Sequence, residues 1–105
     1  MKSGDKISDR QIELIQGSAN ILMEELYLSK EEALQLISDS LKQQLQESNV
    51  TFAFLELSGI PARQAFVRNL VYRVETKINA SFNLPKEKIK KAIDRFVKLF
   101  RDSLN

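Results

Sequence analysis

Val50-Thr51-Phe52-Ala53-Phe54-Leu55-Glu56-Leu57 is the stretch on which the fold turns. Its aromatic and β-branched residues favour a strand, and the run is too short for hydrophobic periodicity to decide between strand and helix. A lone strand cannot satisfy its own backbone, however, and no other segment of the chain reads as a partner for one. A strand here would have to pair across a dimer. The stretch is therefore expected to be a short helix over 50–57, and the chain to be all-α. Ser58-Gly59-Ile60 reads as the exit turn, with Gly59 in the left-handed C′ position that a residue lacking Cβ occupies at least cost.

Outward from this stretch the punctuation is helical on both sides. Ser8 with Gln11, and Ser29 with Glu32, have the spacing of capping boxes and open helices expected over about 8–27 and 30–47. In the first of these, Ile12, Ile15, Ala19, Leu22, Met23 and Leu26 share one face. In the second, Ala33, Leu34, Ile37, Leu41 and Leu45 do so. Pro61 sits well at the start of a long helix over 61–82, where its missing N–H costs nothing; Leu70, Val74 and Ile78, with Val67, Val71 and Phe66, form its apolar seam. Asn83-Leu84-Pro85 interrupts the pattern, and a last helix over 85–103 presents Ile89, Ala92, Ile93, Phe96, Val97, Phe100 and Leu104. The expectation is a single-domain bundle of four to five helices over 8–105, preceded by a flexible N-terminus at 1–7.

Composition narrows the function. No Cys means no disulfide, thiolate metal site or cysteine nucleophile, and no His removes the usual general base and commonest metal ligand. The adjacent carboxylates Glu24-Glu25 and Glu31-Glu32 point about 100° apart on a helix, so neither pair forms a dyad. The residues therefore point to no enzyme, no catalytic residue, no metal or other cofactor, and no small-molecule substrate. The opening residues have no apolar leader behind them, and no apolar run approaches the ~20 residues of a transmembrane helix; a cytoplasmic location is expected.

Charge is sorted along the chain. Residues 1–59 carry a net −5 and residues 60–105 a net +7, which the overall +2 conceals. A dipolar chain of this kind attracts anions on one side or pairs with itself head to tail. Two groups of residues are candidates for contact with an anion or a nucleic acid. In the last helix Lys88, Lys90, Lys91, Arg95, Lys98 and Arg101 lie opposite the apolar stripe, a cationic back suited to phosphates or an anionic membrane, with Lys88, Lys91, Arg95 and Lys98 the candidate contacts. Glu87 with Lys91, and Asp94 with Lys98, are spaced to pair within that helix, so a merely solvated face is the competing reading.

The second group is at the corner. Residues 51–70 resemble a helix-turn-helix: a short helix, a three-residue turn with Gly59, then a second helix whose early Arg63 and Gln64 are the types that read guanine and adenine. Arg68 falls where that motif has a buried aliphatic, and the second helix is about twice the usual length. The resemblance implies a DNA-binding regulator. Size, helix count and a basic pI of about 9.0 are also similar to those of the helical bundles that protect bacteria from their own bacteriocins.

Leu14 and Ile21 are seven residues apart and lie almost opposite the main stripe of the first helix. They imply a second contact surface, assigned here to self-association rather than to another helix of the same chain. The function these readings favour is a non-enzymatic interaction module, self-associating, whose basic C-terminal half binds a protein or other acidic macromolecule. The DNA-binding regulator is the alternative, and a bacteriocin-immunity-like bundle a further one.

Overall fold

A computed structural model describes residues 9–104, and these form five helices with no strand among them. They are α1 (Asp9–Leu26), α2 (Lys30–Ser48), α3 (Phe52–Glu56), α4 (Ile60–Ser81) and α5 (Lys86–Leu104). Ser8 and the N-terminal segment 1–7 lie outside the described residues.

Local chemistry sets the helix ends. At the start of α2, Ser29 Oγ accepts from the Glu32 N–H at 3.1 Å, and the Glu32 carboxylate accepts from the Ser29 N–H at 3.0 Å. This is the reciprocal box that the Ser29/Glu32 spacing predicts. The helix ends at Asn49, whose left-handed backbone (φ 56°) turns its N–H onto the carbonyls of Gln46 and Leu45. Tyr27 takes the same conformation (φ 58°) after α1.

The decisive stretch is helical, but for only five residues. Val50 and Thr51 stay outside it, because Thr51 is extended and uses its hydroxyl to accept from the Phe54 N–H at 3.1 Å. Gly59 corrects the expectation of a left-handed exit residue. Leu57 leaves α3 in right-handed geometry, and the Ser58 N–H and Oγ bond back to the carbonyls of Leu55 (3.0 Å) and Phe54 (2.9 Å). With those carbonyls satisfied, no left-handed residue is needed. Gly59 is instead the extended N-cap of α4, at φ −69° and ψ 164°, with Pro61 in the first turn behind it.

The four long helices form a closed ring: α1 packs on α2 and α5, and α4 packs on α2 and α5, while α3 leans on α4. Neighbours α1 and α5 run antiparallel, since Glu25 meets Lys91 near one end and Gly17 meets Leu99 further along. The core is filled by Leu22 of α1, Ile37 and Leu41 of α2, Leu70, Val74 and Ile78 of α4, and Phe96 and Phe100 of α5. The two phenylalanine rings are tilted, with centroids 4.6 Å apart.

Leu14 and Ile21 belong to this core. They are 1% and 6% exposed, so the self-association surface assigned to them does not exist on the folded chain. The cause is that α1 has two neighbours in the ring and buries a stripe toward each. Gly17 marks the α5 side, where a Cβ would lie 3.0 Å from a Leu99 methyl. Ile12, placed on the main stripe by spacing, falls beyond the edge of the buried arc and is exposed.

Candidate functional site

The order of helices around the ring decides where charge is neutralised. The acidic half of the sequence supplies α1 and α2, and the basic half supplies α4 and α5. Two seams of the ring, α1/α5 and α2/α4, therefore join acid to base, and both carry ion pairs. Across α1/α5, Arg95 Nη1 donates to Glu24 at 2.8 Å and to Glu25 at 3.0 Å, while the Lys91 ammonium lies 3.9 Å from Glu25. Hydrogen bonds to Glu24 first, and then to Glu25, hold the Arg95 guanidinium above its usual pKa. Across α2/α4, Arg73 pairs with Glu47 and donates to the side-chain oxygens of Gln44 (3.2 Å) and Gln43 (3.4 Å). Lys88 sits over the Tyr27 ring, 4.7 Å from its centroid.

The remaining basic seam, α4/α5, joins base to base. Here an open groove of about 500 Å³ runs along the first half of α4 and the last half of α5. Arg63, Gln64 and Arg68 line it from α4, and Arg101 from α5. Its apolar floor consists of Val67 and Val71 of α4 and Val97 and Phe100 of α5. Among the described residues no carboxylate lines it. Arg68 and Arg101 are exposed, and neither forms an ion pair among the described residues.

The six residues singled out from the sequence thus do not share one surface. Arg63 and Gln64 lie in the α4/α5 groove; Lys91 and Arg95 face α1; Lys88 covers Tyr27; Lys98 is exposed on α5 outside the groove. Spacing put Arg101 on the cationic back of the last helix, but its place at the groove follows only from α4 and α5 being neighbours. Arg68, a departure from the helix-turn-helix pattern, is exposed and lines the groove rather than being buried beneath the corner. The Arg63 and Gln64 end of α4 is flanked by α5 rather than standing clear of the molecule, and the helix before the turn has five residues.

Two further features concern α3. Phe54, Leu57 and Ile60 form an exposed apolar knob, with Leu57 88% exposed. Beside the knob, Phe54 borders a second groove of about 860 Å³ lined by Ile15, Leu41, Leu45 and Val50 together with polar residues from α1 and α2. A signal for the knob was present in the sequence: a single helical turn containing Phe52, Phe54 and Leu55 has one inward face, and cannot bury all three. Among the described residues no cluster of three or more His, Asp or Glu side chains is placed to hold a metal, and no helix is long and apolar enough to cross a membrane.

No protein-family model matches the chain, and neither a curated protein nor a solved structure matches it.

Proposed function

We propose that the protein is a non-enzymatic helical interaction module that binds an acidic macromolecule through the α4/α5 groove. The observation that carries this reading is the division of the cations. Arg73, Lys91 and Arg95 are engaged by the acidic half of the chain. Arg68 and Arg101, which form no ion pair among the described residues, flank a groove that no carboxylate of those residues lines. Guanidinium groups gathered on one concavity raise the local potential and favour a partner of opposite sign, through on-rate as well as affinity.

The test uses polyglutamate as the probe, with binding followed by fluorescence anisotropy as salt is raised. Exposed charges separated by more than about 10 Å are screened at 0.1 M salt, so binding should weaken steeply between low and moderate ionic strength. The double variant Arg68→Glu/Arg101→Glu should lose it, whereas Lys91→Ala/Arg95→Ala, which removes cations already paired with α1, should retain most of it. Equal loss in the two variants would mean that overall charge, not the groove, governs binding.

A further inference from the structure

We infer that the α4/α5 groove receives an amphipathic helical segment of an acidic protein, a partner class that rests on the proposed interaction function. Three observations point to a helix with an apolar stripe rather than to a plain polyanion. The groove has an apolar floor, Val67, Val71 and Val97 being only partly buried and Phe100 closing its base. A charge-only partner would leave that floor in water, whereas an apolar stripe would cover it.

The cations are placed at the rims. Arg68 is on α4 and Arg101 on α5, so an occupant lying between the two helices has a guanidinium on each flank. Carboxylates on both edges of a helix, one turn apart, meet that arrangement, and guanidinium–carboxylate pairs are the strong, directional kind. The dimensions agree as well. The α4 wall runs from Pro61 to Val71, which at a rise of 1.5 Å per residue is about 15 Å, room for about three helical turns. Helix-in-groove recognition of this kind uses anchors at i, i+3 or i+4, and i+7.

Duplex DNA suits the groove less well. A recognition helix has to stand clear of its neighbours to enter a major groove about 12 Å wide, and α5 lies along this face of α4. A phosphate backbone also offers nothing apolar to the valines.

The test is selection of a displayed library of random sixteen-residue peptides on the whole chain. Enriched sequences should carry apolar residues at three-and-four spacing with Asp or Glu on both flanks. They should bind Arg68→Glu/Arg101→Glu at least tenfold more weakly than wild type, with circular dichroism confirming that the variant folds. Replacing the apolar stripe of an enriched peptide by Gln, which keeps its charge and leaves the protein untouched, should also cost at least tenfold. If acidic peptides hold their affinity after that replacement, the polyanion-binding function stands and the helical partner falls. Peptides that bind the double variant as well as wild type overturn both. No enrichment, or a random duplex that binds more tightly than any selected peptide, overturns the helical partner and, in the duplex case, makes the anionic partner a nucleic acid.

Discussion

Gly59 shows how much a single backbone angle can change a mutational expectation. At φ −69° and ψ 164° it occupies ordinary extended space, caps α4 without a side-chain hydrogen bond, and leaves a Cβ nothing closer than Pro61 Cδ at 3.7 Å. Gly59→Ser should therefore stabilise the domain by about 0.5–1 kcal/mol in urea unfolding, because the hydroxyl supplies a cap and the unfolded chain loses freedom. A left-handed residue there would respond with the opposite sign. Leu14 supplies a second residue-scale test. Its burial in the core means that Leu14→Ala should cost about 2–5 kcal/mol, with no change in molar mass in solution. Ser18 and Ser40 are fully buried, and their hydroxyls have no hydrogen-bond partner among the described residues. Since an unpaired buried polar group costs about 1–3 kcal/mol, Ser18→Ala and Ser40→Ala should each raise the midpoint of unfolding.

At the scale of the helix, most of the fold was legible from spacing and caps. The Ser29/Glu32 box, the Pro61 start and the Asn83-Leu84-Pro85 break reflect interactions within a few residues, and so they are written locally. What depended on neighbours was not. One stripe of α1 can be read from periodicity, but that α1 has a second neighbour, and so a second stripe through Leu14 and Ile21, follows only from the ring. The same holds for the groove. Arg63 and Gln64 were identifiable by type and position, whereas Arg101 joins them only because α5 folds back along α4. Gly17 tests the α1/α5 approach. Gly17→Leu puts a branched side chain where a Cβ alone would already press a Leu99 methyl, and should cost about 1–3 kcal/mol by thermal unfolding. A neutral result would mean that the two helices are further apart than 3.0 Å from Cβ to methyl requires.

For the whole molecule, the division of charge between the two halves of the sequence becomes an arrangement of seams. Acid meets base at α1/α5 and α2/α4, and base meets base at α4/α5. The Arg95 and Lys91 cations lie at the surface, although their partner Glu25 is partly buried, so solvent screening leaves these pairs little weight in stability. Raising NaCl from low to high concentration should accordingly shift the urea midpoint only slightly while removing polyanion binding. A large loss of stability with salt would instead make the seams, not the core, the main support of the fold.

The antiparallel contact of α1 with α5 also governs the order in which the chain can mature on the ribosome. Leu14, Ile21 and Gly17 wait for a partner that is the last of the described helices to be made, so a nascent chain ending before α5 carries an open apolar flank. Domains complete their folding only when such distant segments have met, and surface left open in the interval is what chaperones bind and aggregation exploits. A ribosome-stalled chain ending near Pro85 should thus remain protease-sensitive throughout α1, and protection should arrive in one step once α5 has cleared the exit tunnel.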